Sequence, residues 1–593
     1  MTVPEKTRNK NRQLVCLAVI ALIATIVSAP TFLYGAPYGH DMFYHLTWLR
    51  YFTAQLHAGD WYPRWLMDLN SGAGSPIFFY YAPFPFFVSG IFGPLFCPSC
   101  RTEVHLAIGL WLMLMASGIA FYAFARQFGR PRVAAVGAVV YMVLPYHLEI
   151  DLWRRFAFGE FPSYIWYPLI LLFLDKTFLD RRYLPLAAAC YAALFVTHLP
   201  EALLFSIFAV AYVSMQCLWR KSLRPICVLT AAAGLGLGLA ALYVVPAMFA
   251  QDYTIAKQMF IPSSGAPHRL WNYEYFHYVN WMFLSGNRTP YPSFSHRLLD
   301  ILLGITAVFA LLCVAVFSGK RGRAFRAIGP WLLGMALVWF LVTPVSTFVW
   351  EHVSLLREVQ FPWRSLPIAD LAVAAMCVLA LETAWQPRDR VSWAAVGLAA
   401  TVLAASILSA GRHTGSLQPL PKLLEPFQTP TVIEDYAAKV AAGWDTLEFF
   451  MPIWVAMSPE EFRAAIGAVP RIDVPPGAGA VRVVRWAPRD IVLETDLGRD
   501  TEIAVKQLYF PGWRASNVRT GQELQLSPTP RMGLLAVHAP QGHYQIALRL
   551  ESLWQERVGA GVSITTLIGL AVMAFVWRRR RGSDSESINA GAA

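Results

Sequence analysis

The sequence predicts a polytopic helical membrane protein with about twelve spans and one extracytoplasmic domain near the C-terminus. Hydrophobic residues make up 56% of the 593 residues and charged residues only 15%, whereas soluble proteins have about a quarter charged residues. The mean hydropathy is +0.44. Long apolar stretches separated by short basic loops explain these values, and the pattern changes to short β-rich segments after about residue 480.

The distribution of positive charge predicts the orientation of the spans. The net charge is +12, a value that is also found in nucleic-acid-binding proteins. Here, however, basic residues cluster at the ends of apolar segments, at 6–12, 126–132, 181–182, 220–224, 320–326, 388–390 and 578–581. Lys and Arg near the ends of spans are retained on the cytoplasmic side. We therefore expect cytoplasmic termini and no nucleic-acid partner.

Alternation of the chain between these clusters predicts the positions of the spans. The first apolar run, 14–33, is long enough to cross a bilayer and is expected to stay in the membrane rather than be cleaved as a signal peptide. Pro83, Pro85 and Pro94 interrupt the run 77–96, which is expected to be re-entrant or interfacial. The other spans are expected at 104–124, 133–150, 163–179, 183–198, 201–219, 226–248, 298–318, 328–349, 366–384, 391–410 and 557–577.

These spans divide the chain into three parts. The transmembrane domain covers 1–410, the extracytoplasmic domain 411–556, and the last span with its cytoplasmic tail 557–593. The first extracytoplasmic loop, 34–103, contains an amphipathic segment, 43–56, that is expected to lie on the membrane surface. The extracytoplasmic domain is expected to be α+β and to end in a small β-sandwich. Its strands are expected at 481–485, 491–495, 502–508, 533–537 and 544–550.

Two of the eight cysteines form the sequence Cys97-Pro-Ser-Cys100, outside the long apolar spans. Two ligands are too few for a zinc site, and no strand–helix–strand context supports a thioredoxin-like motif. A local disulfide and a pair of free thiols both fit this spacing.

Ionisable residues near the membrane are the candidate functional residues, because a charge at the bilayer centre costs about 2.5–3.5 kcal/mol. Acids and arginines both gather at the outer edge of the predicted spans. The acids are Asp41, Glu149, Asp151, Glu160, Glu201, Asp300, Glu351, Glu358 and Asp370. The arginines are Arg50, Arg64, Arg154, Arg155, Arg357 and Arg364. Opposed charges at one membrane face suit an anionic substrate, and arginine binds phosphate through two parallel hydrogen bonds.

Asp41, shortly after the first span, has two compatible interpretations. Its carboxylate can act as a general base on a sugar hydroxyl or hold a divalent cation. It can also simply cap the helix that follows, since Asp is a favoured N-cap residue. His40 and His45 form a polar patch with it and are candidate substrate-binding residues, although such histidines are more often polar surface residues.

Three further segments contain candidate site residues. Arg154, Arg155 and Glu160 share one short loop, where a mutual ion pair is the simpler interpretation. His198 and Glu201 flank a proline in a turn, where capping is the simpler role. Gln360 and Arg364 belong to the sequence Gln-Phe-Pro-Trp-Arg, which also fits an aromatic and basic anchor at the headgroup level.

Several motifs resemble known membrane families. Gly39-His40-Asp41 is similar to the first extracytoplasmic loop of GT-C type membrane glycosyltransferases, which carries an essential acid. The chain also resembles a bacterial membrane family described as 6-pyruvoyl-tetrahydropterin synthase-related, and the YfhO-like proteins near it. This second resemblance rests on the segments 59–65, 72–76, 79–83, 159–160, 197–198, 360–364, 448–454 and 509–513.

The GT-C resemblance implies a lipid-linked donor, a polyprenyl-phosphate sugar, and a glycan, lipid or protein acceptor outside the cytoplasm, at a bacterial inner membrane. Asp41 matches the loop-one acid, and Glu160 is the second candidate catalytic acid. Four arginines are the candidates for the lipid phosphate: Arg64, Arg154, Arg155 and Arg364. Many GT-C enzymes have paired acids in this loop, whereas Met42 follows Asp41 here, so a requirement for a divalent cation stays open.

Three functions are compatible with these features. The first is an inverting glycosyltransferase with Asp41 as the base. The second is a transporter or flippase for a lipid-linked glycan, for which midplane charges and inverted repeats are the expected signs; neither is clear in the sequence. The third is a non-catalytic assembly protein for envelope polysaccharide, in which the β-domain binds the polymer.

Overall fold

The computed structural model describes residues 3–36, 39–255, 292–319, 324–359, 361–385, 390–413 and 450–590. In these residues the chain forms a helical bundle followed by a domain of two antiparallel sheets, and a long helix then leaves that domain. The helices before the sheets are Val3–Tyr34, Met42–His57, Phe84–Phe96, Thr102–Ala125, Pro131–Val143, Ser163–Leu179, Leu184–Thr197, Leu199–Arg220, Arg224–Leu239, Ala241–Phe249, Pro292–Gly319, Ala324–Leu341, Thr347–His352, Leu366–Ala384, Arg390–His413 and Pro459–Ile466. The last helix is Trp554–Ala590.

Among the described residues, eight helices are long and apolar enough to cross a membrane, which supports an integral membrane protein. They are Lys10–Tyr34, Thr102–Ala125, Pro131–Arg154, Leu199–Arg220, Arg297–Ser318, Ala324–Leu341, Pro362–Ala384 and Trp554–Trp577. Two of these spans join neighbouring helices: Pro131–Arg154 includes the helical turns at Tyr146–Arg154, and Pro362–Ala384 includes the short helix Pro362–Ser365. A ninth candidate is the pair Arg224–Leu239 and Ala241–Phe249, which is bent by 76°.

The expected number of twelve spans is therefore not confirmed. Helix Ser163–Leu179 has 17 residues and Leu184–Thr197 has 14. At 1.5 Å per residue these helices are about 26 and 21 Å long, shorter than a hydrocarbon core of about 30 Å. A helix, Arg390–His413, is also present where a span was expected at 391–410, but it is not among the eight candidates.

The loop after the first helix, residues 39–101, folds into the protein instead of lying flat on lipid. Helix Met42–His57 buries one face, including Leu46, Trp48 and Phe52, within the main hydrophobic core. The expected surface position of segment 43–56 is thus corrected, because its apolar residues find protein partners. Helix Phe84–Phe96 has 13 residues and is not a candidate span, in agreement with the proline-interrupted pattern.

The β-domain consists of nine strands in two antiparallel sheets. The strands are β1 Ile472–Asp473, β2 Gly479–Ala487, β3 Asp490–Leu497, β4 Thr501–Leu508, β5 Trp513–Asn517, β6 Glu523–Leu524, β7 Leu526–Pro528, β8 Leu534–Ala539 and β9 Gly542–Leu550. One sheet has the order β1-β4-β8-β7 and the other β2-β3-β9-β5-β6. Apolar residues of both sheets share one core, so the two sheets pack together as the sequence predicts.

The β-domain is docked directly on the loop that follows the first helix. Gln507 is fully buried; its Oε1 accepts a hydrogen bond from Trp65 Nε1 at 2.9 Å, and its Nε2 donates to the carbonyl of Gly72 at 2.7 Å. The backbone N–H of Leu508 also donates to the carbonyl of Ala73. Since a buried amide is costly to leave unpaired, these bonds fix the domain on the same side of the bundle as Asp41.

Cys97 and Cys100 form a disulfide in the turn between two helices, Phe84–Phe96 and Thr102–Ala125. This structure decides between the two states that the spacing allowed. The turn precedes helix Thr102–Ala125, and the basic residues after Ala125 lie at the other end of that helix.

Candidate functional site

Two backbone segments that are far apart in sequence meet at the candidate site. The N–H groups of His40 and Asp41 donate to the carbonyls of Arg154 and Arg155, at 3.1 and 2.9 Å. Gly39 permits this approach, because a Cβ at that position would lie 2.6 Å from the Cβ of Phe156 and 2.9 Å from its nitrogen. The glycine thus brings the loop at residues 39–41, here called the Asp41 loop, against residues 146–160, here called the arginine loop.

The arginine loop has an unusual backbone. Residues Tyr146–Arg154 form a π-helix, a rare conformation that is frequent at functional sites. Phe156 then adopts a φ of +54°, which is uncommon for a residue other than glycine and is held by its surroundings. The turn reverses the chain direction and brings Glu160 back to Arg155.

Glu160 is the centre of a buried ionic cluster. Its Oε2 accepts from Arg155 Nη1 at 2.7 Å and from Arg364 Nε at 3.2 Å, and its Oε1 accepts from the Tyr146 hydroxyl at 2.9 Å. Arg155 also donates to Asp151 at 3.1 Å. Burial alone would raise the pKa of Glu160, but the two adjacent guanidiniums outweigh it and hold that pKa below its usual range. Glu160 is therefore an ionised partner that holds two arginines in place.

Asp41 differs from Glu160 in having a carboxylate with no hydrogen bond or ion pair to any residue in the described ranges. It occupies the N-cap position of helix Met42–His57, but its side chain makes no capping bond, so the capping interpretation is not confirmed. The residue is half-buried. Burial raises the pKa of Asp41 to about 6, although Arg155 and Arg364 act to lower it. This combination suits a general base.

The two histidines next to Asp41 have different surroundings. His45 is buried, with Nδ1 3.0 Å from the carbonyl oxygen of Phe156 and Nε2 2.8 Å from the hydroxyl of Tyr81. Because a carbonyl only accepts, Nδ1 carries the proton and Nε2 accepts from Tyr81. Burial lowers the pKa of His45 to about 3, so the imidazole is neutral at ordinary pH. His40 is exposed.

The turn that contains His198 and Glu201 borders the cluster. His198 Nδ1 accepts from the backbone N–H of Glu201 at 3.3 Å, so the simpler capping role applies to His198. Glu201 is fully buried, and its Oε2 accepts from the hydroxyl of Tyr167. Gly159 lies beside this turn, where an added Cβ would be 3.5 Å from His198 Cδ2. His198 and Glu201 thus hydrogen-bond within their own turn and pack beside the Glu160 cluster.

Arg154 differs from the other arginines of the site because its side chain makes no hydrogen bond or ion pair within the described part of the chain. It is half-buried and projects from the same loop as Arg155. Glu149 lies nearby but pairs with the buried Arg297, at 3.6 Å. Arg154 is therefore a cation that is still available to an anionic ligand.

One of the expected site residues in the described part of the chain, Arg64, does not join this cluster. Arg64 is buried next to the β-domain, where its Nε lies 3.4 Å from Glu556 Oε1 and its Nη2 donates to the carbonyl of Leu242. Arg64 therefore helps to join the first loop, the bundle and the last helix. Gln360 lies outside the described residues. Arg364, expected as an alternative to anchor the chain at the headgroups, is instead buried against Glu160.

The sequence did not indicate Tyr146, Tyr81 or the close contact of Gly39 as parts of the site. Tyrosines within apolar segments look like ordinary core residues, and a contact between residues 39 and 156 leaves no local signal. Among the described residues, no group of three His, Cys, Asp or Glu side chains is arranged to hold a metal ion. The charged neighbours of Asp41 are the guanidiniums of Arg155 and Arg364 and the carboxylate of Glu160.

No protein-family model matches the chain, and no curated protein matches it; the resemblance to the pterin synthase-related and YfhO-like families is thus not confirmed. Among solved structures, the chain is similar to the arabinofuranosyltransferase AftD from Mycobacteria, with 18% identity and a TM-score of 0.43 over 68% of this chain and 27% of that chain. It is also similar to the archaeal oligosaccharyltransferase AglB from Archaeoglobus fulgidus, in complex with an inhibitory peptide and a dolichol-phosphate, with 13% identity and a TM-score of 0.33 over 68% and 55%. The chain therefore spans about a quarter of the first protein and about half of the second. At these TM-scores the likenesses establish neither family nor activity.

Proposed function

We propose that this chain is a membrane glycosyltransferase that transfers a sugar from a polyprenyl-phosphate donor to a glycan, lipid or protein acceptor outside the cytoplasm. The observation that carries the proposal is the state of Asp41. Its carboxylate is half-buried, has no partner among the described residues, and lies on a loop hydrogen-bonded to two consecutive arginines. A base next to cations suits the attack of a hydroxyl on a sugar that leaves a phosphate.

The reaction requires one proton transfer and one displacement. The Asp41 carboxylate takes the proton of an acceptor hydroxyl as that oxygen forms a bond to the anomeric carbon of the donor. The bond between the anomeric carbon and the phosphate oxygen breaks, and its electron pair stays on the lipid phosphate that leaves. Attack opposite to the leaving group inverts the anomeric configuration.

The structure distinguishes the four candidate arginines by their existing partners. Arg64 pairs with Glu556, while Arg155 and Arg364 pair with Glu160. Arg154 has no such pair with a described residue, so binding a phosphate there breaks no hydrogen bond to the described part of the chain. We therefore assign the direct phosphate contact to Arg154, and a positioning role, through Glu160, to Arg155 and Arg364.

The orientation of the site also supports an extracytoplasmic acceptor. The Cys97–Cys100 disulfide lies at the membrane face that holds the Asp41 loop, and structural disulfides persist in oxidising compartments. The basic clusters lie at the opposite ends of the spans, where the positive-inside rule places the cytoplasm. Two independent features thus agree on the side of the site.

The test is donor turnover by the full-length protein reconstituted in lipid nanodiscs. A panel of polyprenyl-phosphate sugars is supplied with a membrane glycan extract, and release of polyprenyl phosphate is measured by mass spectrometry. We expect Asp41→Asn to reduce turnover by about 10²–10⁴-fold, and Arg154→Gln to raise the KM for the donor. Asp68→Asn, at an exposed acid of the same loop, and Arg50→Gln, at an exposed arginine of the following helix, are the matched controls. Full turnover by Asp41→Asn would refute the proposal.

A further inference from the structure

A cleft of about 670 Å³ lies at the base of the β-domain, away from the Glu160 cluster. It is lined by Arg489, Asp490, Arg549, Leu550, Glu551, Ser552 and Arg557. Two of these residues belong to the end of strand β9, and three follow it directly or begin the last helix. The cleft thus lies where the β-domain meets the final membrane span.

The position of the last helix places this cleft at the membrane–water boundary. The candidate span Trp554–Trp577 begins three residues after Glu551, and only 11% of its apolar window is buried inside the protein, which leaves most of its surface for lipid to cover. Trp554 itself is 56% exposed, and exposed tryptophans at span ends are typical of the headgroup region. Ligands in the cleft are therefore at the depth of lipid headgroups.

Two of the three arginines of the cleft, Arg549 and Arg557, are only weakly held by protein. Arg549 lies 3.6 Å from Asp490 and Arg557 lies 3.8 Å from Glu551, and their side chains are 66% and 67% exposed. Exposed pairs of this kind contribute about 0–1 kcal/mol, so exchanging the carboxylates for another anion costs little. Ser552 adds a hydroxyl that can donate to the same ligand.

We propose that this cleft binds the phosphate of an anionic phospholipid headgroup, from the leaflet next to the β-domain. Guanidinium groups bind phosphate oxygens in a fork-like geometry, and a lipid supplies that phosphate at the depth where the cleft opens. The proposal does not depend on the glycosyltransferase activity, because none of the cleft residues belongs to the Asp41 site.

Arg489 gives the binding a structural consequence. Its Nη2 lies 3.2 Å from Glu556, which also pairs with Arg64 of the first loop. The guanidinium of Arg489 further lies 5.6 Å from the ring centre of Phe79. A headgroup in the cleft therefore stabilises the same junction of loop, β-domain and last helix that positions the domain.

The test is the affinity of the detergent-purified full-length protein for phosphatidylglycerol, measured by native mass spectrometry. We expect Arg549→Gln with Arg557→Gln to weaken binding by about fivefold per arginine, which corresponds to the contribution of one basic residue (~1 kcal/mol). The conservative pair Arg549→Lys and Arg557→Lys should retain more of the affinity. Both positions are exposed, and an unchanged elution volume on gel filtration shows that each variant is folded.

The matched control is Arg482→Gln. Arg482, on strand β2, is exposed and pairs with Glu494 on strand β3. Glu494 lies four residues along β3 from Asp490, which places the pair about 13 Å from the cleft. It should bind phosphatidylglycerol as the wild type does, and phosphatidylcholine should bind equally to all variants. Equal affinity of the double Gln variant and the wild type would overturn the proposal. So would displacement of the lipid by millimolar inorganic phosphate, which would indicate a site for free phosphate.

Discussion

At the scale of single residues, the two candidate acids of the site have opposite surroundings. Glu160 accepts three hydrogen bonds, two of them from guanidiniums. Its carboxylate is thus ionised and already paired with cations. The carboxylate of Asp41 accepts no hydrogen bond from described residues, and burial raises its pKa to about 6. Only a carboxylate that is not already committed to cations can take a proton from a substrate hydroxyl.

The pH dependence of turnover should reflect Asp41. As a base it acts when ionised, so activity should rise as the pH increases and reach half its maximum near pH 6, the value of its pKa. Arg364 acts to lower this pKa, so Arg364→Gln should move the acidic limb to higher pH. The profile of kcat/KM for the donor, measured from pH 4.5 to 8, checks both expectations. The control Arg50→Gln should leave the acidic limb of the profile unchanged. An acidic limb that is also unchanged in Arg364→Gln would contradict the second expectation.

At the scale of elements, the site depends on the contact of two loops at Gly39. Gly39→Ala places a Cβ 2.6 Å from the Cβ of Phe156, and the backbone on at least one side must shift. Overpacking of this kind costs about 1–3 kcal/mol, and the shift moves Asp41 away from Arg155. We expect Gly39→Ala to lower turnover more than tenfold, a change of about 1.4 kcal/mol in the barrier.

The control for this substitution is Gly569→Ala in the last helix. An added Cβ at Gly569 meets no atom within 4 Å, and alanine favours a helix over glycine by up to about 1 kcal/mol. Turnover of Gly569→Ala should match the wild type. If both alanine variants retained full turnover, the loop contact would not be important for the site.

The docking of the β-domain is the second element-scale feature that can be tested. Gln507→Ala removes hydrogen bonds to Trp65, Met67 and Gly72 and leaves buried partners unpaired, at a cost of about 2–4 kcal/mol. The β-domain of the variant should be cleaved faster in limited proteolysis. Gln541→Ala, at an exposed position of the same domain, should be cleaved at the wild-type rate; a wild-type rate for Gln507→Ala would show that the docking bonds contribute little.

At the scale of the whole molecule, the orientation in the membrane determines which compartment supplies the acceptor. After treatment of intact cells with a membrane-impermeant reductant, an impermeant maleimide should label Cys97 and Cys100. A cysteine introduced by Ser222→Cys lies in an exposed loop next to the basic cluster at 220–224, on the opposite face. It should be labelled only after permeabilisation. The reverse pattern would place Asp41 in the cytoplasm and refute the proposed acceptor.

Features that depend on consecutive residues were predicted well from the sequence, and features that depend on contacts between distant segments were not. Nine apolar segments coincide with candidate spans, because hydropathy is summed over consecutive residues and a bilayer responds to that sum. The spans expected at 163–179 and 183–198 are not confirmed, because helices Ser163–Leu179 and Leu184–Thr197 are too short to be counted as candidates. The segment 43–56 was misplaced because amphipathicity does not say whether protein or lipid covers the apolar face.

The sequence by itself determined the class of the protein, its orientation signals, the β-domain and the residue types of a site for an anionic substrate. These properties follow from composition and from short-range periodicity. Only the tertiary structure decided which charges are committed and which are available. It pairs Glu160 with Arg155 and Arg364, places Arg64 with Glu556, and leaves Asp41 and Arg154 without such partners in the described residues. The physical reason is that the energy of an ionic group depends on its neighbours in space, and residues 41, 155, 160 and 364 become neighbours only when the bundle folds.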